Sequence, residues 1–180
     1  MKCGLIVLAD GFEDAEALVT RDILLRSGQI DVVTASLTKE KEVISSHKLH
    51  VLLEKSLEEL DLASFDFIVL PGGKRGMENL KNSKILCKTV LDFYKQGKLV
   101  AAICASPSIF GVLGILDGKK YTCFPGFQEG KGDYLNVPVV KDGNVITGHS
   151  MSYSEPFAEA IVRYYFGEET NRLIRKGTRG

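Results

Sequence analysis

Leu99-Val100-Ala101-Ala102-Ile103-Cys104-Ala105-Ser106-Pro107 joins an apolar run fit for a buried strand to the opening of a helix. Ser106 suits an N-cap and Pro107 the first helical position, so the next turn is expected to leave unpaired N–H groups near the Cys104 sulfur. Their partial positive charge favours thiolate over thiol. Small residues on either side, Ala102 and Ser106, fit the cramped bend of a nucleophile elbow, although its usual flanking glycines are missing. The segment also fits a buried, inert cysteine, as most free cysteines are.

Outward from this stretch, strands and helices alternate. Residues 3–9 read as a buried strand, followed by a helix over 13–27 with Ala15, Leu18, Val19, Ile23 and Leu24 at helical spacing and Gly28 at its end. A second strand falls at 31–35, and two β-prone pieces flank Ser45-Ser46 within 43–53, as in a small hairpin. Residues 57–60 suit a short helix. A third strand at 65–70 breaks at Pro71-Gly72-Gly73, and one helix carrying Ile85, Leu86, Val90, Leu91 and Tyr94 ends near Gly97. After the Cys104 strand and its helix come candidate strands at 121–124, 137–140 and 145–147, and a last helix that begins near Ser154. The basic tail, with Arg172, Arg175, Lys176 and Arg179, reads as a solvated terminus. This alternation predicts an α/β flavodoxin-like three-layer sandwich, a mostly parallel sheet with helices on both faces, as one domain over 1–180.

Composition narrows the function classes. The 180 residues carry 23 basic and 23 acidic side chains, a balance that argues against nucleic acid as the main partner. The chain enters Leu5-Ile6-Val7-Leu8 directly and its apolar runs are strand-sized, so neither a signal peptide nor a membrane span is expected and the expected address is the cytoplasm. Cys3, Cys87, Cys104 and Cys123 form no Cys-x-x-Cys pair, which predicts reduced thiols and no metal site. No P-loop or dinucleotide fingerprint occurs, and no cofactor is expected.

In such sheets the working crevice lies beyond the carboxyl ends of the strands. Three marked segments fall there: residues 10–16, Pro71-Gly72-Gly73 and the Cys104 elbow. Glu16 opens the first helix, where Glu13 and Asp14 compete with it for a role. An ionised carboxylate would repel a thiolate, so a supporting Glu16 must hold a proton and donate it in a hydrogen bond. Pro71-Gly72-Gly73 offers uncovered backbone N–H groups, and the Ala105 amide is the natural second donor to an oxyanion. His149, after the 145–147 strand, is the candidate pocket base, ahead of His47. Cys123 is a candidate resolving thiol as well as a plain core residue. Phe12 and Met77 fit an interface, a pocket rim or simple packing.

Together, Gly11-Phe12-Glu13-Asp14-Ala15-Glu16, Val69-Leu70-Pro71-Gly72-Gly73 and Ala101-Ala102-Ile103-Cys104-Ala105-Ser106-Pro107 resemble the ThiJ/PfpI superfamily, in the branch of the Parkinsonism-associated protein deglycase. The resemblance covers nearly the whole chain. It implies a homodimer in which Cys104 is the reactive thiol, Glu16 its protonated partner, and the Gly73 and Ala105 amides the oxyanion donors. It also implies glyoxalase or deglycase activity on small carbonyl substrates, peptidase activity in another branch, or stress sensing and chaperone behaviour. Three departures stand out. Ala105 replaces the histidine that follows the nucleophile in the peptidase-like branch. Phe124 precedes Pro125 where the deglycase branch carries a pocket histidine, and Ser150-Met151-Ser152 replaces a Gly-Pro-Gly segment. The readings that follow are a cysteine-dependent enzyme acting on α-oxoaldehydes, with Glu16 moving the proton and His149 assisting; a redox sensor using the same thiol; and an amidotransferase-like or peptidase-like hydrolase.

Overall fold

Alternation along the first strand sets the layers. In β1 (Lys2–Leu8), Leu5 and Val7 pack into one apolar cluster while Ile6 and Leu8 pack into another on the opposite face. A strand buried on both sides belongs inside a sheet covered twice. The computed structural model describes residues 1–180. After β1 come α1 (Asp14–Arg26), β2 (Ile30–Ser36), the hairpin strands β3 (Glu42–Ile44) and β4 (His50–Leu52), and β5 (Lys55–Ser56). They are followed by β6 (Phe67–Leu70), α2 (Lys74–Asn82), α3 (Lys84–Lys95), β7 (Leu99–Ile103) and α4 (Pro107–Val112). The chain continues through β8 (Lys120–Tyr121), β9 (Asp133–Tyr134), β10 (Val139–Asp142), β11 (Val145–Gly148) and α5 (Ser154–Arg179).

Seven strands form the central sheet in the order β10-β11-β7-β6-β1-β2-β5, and every neighbouring pair is parallel except β10 with β11. One face is covered by α2, α3 and α4 through Leu80, Leu86, Val90, Phe93, Ile109 and Phe110. The other is covered by α1 and α5 through Ala17, Leu24, Phe157, Ile161 and Val162. This is the α/β three-layer arrangement expected from the alternation. Because the chain runs from β1 outward to β2 and then returns to β6, the crevice opens at the carboxyl ends of β1 and β6, with β7 next to them.

Three local expectations about helices and strands are corrected. The stretch after Pro71-Gly72-Gly73 makes two helices, not one, because the Ser83 hydroxyl accepts the Leu86 N–H and starts α3 afresh. The strand expected over 121–124 stops at Tyr121, since the Thr122 N–H is taken by Thr147 Oγ1 at 2.9 Å and leaves the ladder. The strand expected over 137–140 is shifted to β10, past Pro138, which has no N–H to give.

The basic tail is not a free terminus. Arg175 and Arg179 lie on the last turns of α5, beyond a break at Gly167 (φ +77°), and both reach the fully buried Glu159 of its first turns. Arg175 Nε donates to Glu159 Oε1 at 2.8 Å. Burial works to raise the Glu159 pKa, but the Arg175 hydrogen bond and the charges of Arg175, Arg179 and Arg163 override it and hold the carboxyl below its ordinary range. Phe12 and Met77 are buried in the two cores and pack there.

Candidate functional site

Cys104 follows the last residue of β7 in a left-handed conformation (φ +63°), one that costs a side-chain-bearing residue about 1–2 kcal/mol. Two hydrogen bonds hold it there. Its N–H donates to the Gly148 carbonyl at 2.9 Å, and its own carbonyl accepts the Phe124 N–H at 2.9 Å. The bend is therefore clamped from β11 on one side and from the loop after β8 on the other. Pro107 opens α4 as its composition predicts, but Ser106 does not cap it. The Ser106 backbone is already helical, and its buried hydroxyl donates to the Pro71 carbonyl at 2.6 Å, which ties the elbow to the Pro71-Gly72-Gly73 turn.

That turn has no room for side chains. A Cβ on Gly72 would lie 2.6 Å from Glu16 Oε2 and 2.8 Å from Cys104 Cβ. Gly73 adopts φ +84°, and a Cβ there would strike the Gly11 carbonyl. The bare backbone does what a side chain would block: the N–H groups of Gly73 and Ala105 favour a negative charge on the Cys104 sulfur.

Glu16, at the third position of α1, is 1% exposed. Its Oε2 accepts the Gly72 N–H at 2.7 Å, and across the bare Gly72 the carboxyl lies against Cys104. Oε1 is buried with no hydrogen-bond partner. Burial, above all, lifts this carboxyl from the ordinary 4.5 to about 7, against the hydrogen bonds from Cys104 and Gly72, with the nearby Glu13 charge adding to the rise. A proton on Glu16 near neutrality is the state its surroundings favour. Burial also pushes the Cys104 thiol up, and the charge of an ionised Glu16 pushes it further, while the Ala105 and Gly73 amides pull it down. The thiolate expected from the helix opening is thus not set by that opening alone; α4 is a short helix of six residues, and a sulfur anion at this place requires the proton to reside on Glu16.

The remaining candidates fall in different places. His149 directly follows β11, where Gly148 stands opposite Ile103, so its backbone lies beside that of Cys104. Its ring packs against Phe124 and Tyr153, with centroids 6.4 and 5.8 Å away. His47 lies on the exposed turn between β3 and β4, bound by Asp14 Oδ2 at 2.8 Å and 3.6 Å from Glu13 Oε1, and its contacts are with that pair instead of the sulfur. The Asp14 and Glu13 carboxylates, so engaged, leave Glu16 without a rival at Cys104. Cys123 is fully buried in the core, where burial raises its thiol to about 11. Asn136, whose Oδ1 meets His149 Nε2 at 3.0 Å, carries no signal in the sequence, since a lone asparagine before Val137-Pro138 reads as loop.

Comparisons with known proteins agree with this frame. The DJ-1/PfpI family matches residues 3–164. Protein DJ-1 homolog B of Arabidopsis thaliana is 37% identical over 97% of the chain, which spans only 40% of that longer protein. The crystal structure of a cysteine-to-alanine mutant of a DJ-1 superfamily protein from Salmonella typhimurium superposes with a TM-score of 0.94 at 33% identity, covering 99% of this chain and 98% of that one. Oxidized DJ-1 of Toxoplasma gondii superposes with a TM-score of 0.90 at 28% identity, over 99% and 98% of the two chains.

The raised Glu16 pKa carries a sign for stability. Below 4.5 the carboxyl is protonated in the folded and unfolded chain alike; between 4.5 and about 7 only the unfolded chain gives up this proton, so stability falls as the pH rises through that window. Glu16→Gln is therefore expected to match the wild type in urea unfolding at about pH 4 and to exceed it by about 3 kcal/mol at about pH 8. A variant no more stable than wild type at the higher pH would show that the carboxyl is at ease where it lies.

Proposed function

The chain belongs to the DJ-1/PfpI family, and from that premise we propose that it is a cysteine-dependent glyoxalase or deglycase acting on small α-oxoaldehydes or their protein adducts. The observation that carries the reading is the convergence of one buried carboxyl and two backbone amides on a single sulfur at a strand end. The Cys104 sulfur bonds to the aldehyde carbon of methylglyoxal, and the thiol proton passes by way of Glu16 to the carbonyl oxygen, giving a hemithioacetal. The Gly73 and Ala105 N–H groups hold that oxygen as charge develops on it. Moving the carbon-bound proton to the neighbouring carbon, and the hydroxyl proton to the neighbouring oxygen, turns the hemithioacetal into the thioester of a 2-hydroxy acid. Water then breaks the C–S bond, releases lactate and restores the thiol.

The same sulfur supports a second reading, as a redox sensor. Two equivalents of peroxide, each giving one oxygen to sulfur and leaving as water, convert the thiol to a sulfinic acid. The two amides and the Glu16 proton are donors suited to its oxygens, and a structure similar to this one is that of an oxidized DJ-1. We also propose that the domain over 1–180 works as a cytoplasmic homodimer. Leu18 and Val19 on α1 and Leu49 and Leu52 on the β3–β4 hairpin are large apolar side chains left exposed, Leu18 and Leu52 line one groove, and no helix is long and apolar enough to cross a membrane.

Purified protein is expected to form lactate from methylglyoxal, and Cys104→Ser to form none above background; equal turnover by the two would remove the mechanism. After mild peroxide, intact-mass and peptide mass spectrometry are expected to place two added oxygens on Cys104, and modification of Cys87 or Cys3 in its stead would exclude the sensor. Light scattering is expected to read twice the 19.8 kDa chain mass, falling to the single mass when Leu18 and Leu52 are both changed to Glu.

A further inference from the structure

The acid and the amides described above lie on the β6 side of Cys104, at Gly72, Gly73 and Glu16. On the other side, at the end of β11, stands His149. Its two ring nitrogens have opposite surroundings. Nε2 faces outward and lies 3.0 Å from the Oδ1 of the exposed Asn136. An amide oxygen only accepts, so Nε2 carries the ring proton and Nδ1 carries the lone pair. That Nδ1 is buried with no hydrogen-bond partner in the protein. The backbone leaves it little freedom, since the His149 N–H donates to the Pro138 carbonyl at 3.0 Å and the ring is packed between Phe124 and Tyr153. Phe124 in turn is bonded through its N–H to the Cys104 carbonyl. The ring is thus a base held in one tautomer, wedged beside the elbow, with its basic nitrogen turned away from water and committed to nothing.

We propose that His149 Nδ1 is the base that takes the carbon-bound proton from the hemithioacetal on Cys104 and returns it to the adjacent carbon, with Asn136 as the positioning residue that keeps the lone pair on Nδ1. The inference rests on the glyoxalase reading. It divides the proton traffic between the two flanks of the sulfur: Glu16 serves sulfur and oxygen, and His149 serves carbon. The proton taken from the first carbon makes an imidazolium and an enediolate; the imidazolium gives the same proton to the second carbon, so the ring ends as it began. No oxidant or metal enters the step, because one carbon is oxidised as its neighbour is reduced.

The test compares lactate formation from methylglyoxal by the full chain and its variants. His149→Gln is expected to lose about 100-fold in kcat with KM little changed, at an unaltered melting temperature. Asn136→Ala is expected to lose part of that factor, and Asn136→Asp, which keeps an acceptor oxygen at the same place, to recover it. Nitrogen-15 NMR of the imidazole, which needs no turnover, is expected to show the Nε2–H tautomer in the wild type and a mixed population in Asn136→Ala. Wild-type kcat in a folded His149→Gln, or an Nδ1–H tautomer in the wild type, would overturn the assignment and leave the glyoxalase reading standing. A wild type that forms no lactate would overturn both.

Discussion

The hydrogen bond from the Gly72 N–H to Glu16 Oε2 joins the first turns of α1 to the turn that ends β6, and the rest of the site is arranged around the 2.7 Å that it spans. Because Gly72 has no side chain, the carboxyl can come within contact of both the turn and the sulfur. Because the carboxyl is shut away from water, it keeps a proton that an exposed glutamate would lose. Those two facts let an ordinary helix-opening acid hold its proton up to about pH 7. The same burial opposes ionisation of the Cys104 thiol, and an anion can rest on the sulfur only while the acid is neutral.

Several unfavourable choices are concentrated in this small volume. Cys104 is left-handed without being glycine, and neither Glu16 Oε1 nor His149 Nδ1 has a hydrogen-bond partner. Elsewhere strands are apolar on both faces where both are covered, and α3 and α5 start where serine stands. Local conflict of this kind is tolerated where the surrounding structure holds it in place, and here two backbone hydrogen bonds, from β11 and from the loop after β8, and the Ser106–Pro71 bond do so.

The architecture was largely legible in the residues because the parallel sheet is read from what is most local, apolar runs of strand length set between helical periods. The elbow and the glycine turn were legible for a similar reason, since each is a backbone feature carried by adjacent residues. The departures are all cases in which a distant partner decides. The Ser106 hydroxyl follows Pro71, 35 positions away, instead of capping its own helix. Thr122 leaves its strand for the Thr147 hydroxyl, and Asn136 meets His149 across 13 residues. Arginines that read as a loose tail converge on a glutamate one helix-half earlier. No pattern of spacing announces such pairs.

That last cluster bears on how the molecule comes apart. The segment beyond Gly167 is fastened to the body by Ile174 and by an ionic knot in which three guanidinium groups surround the one carboxylate of Glu159. Acid protonates the centre of the knot and leaves three like charges with only the less buried Glu155 and Glu168 beside them. Its contribution is therefore present above the ordinary glutamate range and vanishes as pH drops through the depressed value. Acidification loosens the carboxy-terminal end of the long helix, while the sheet, held by hydrocarbon, stays closed.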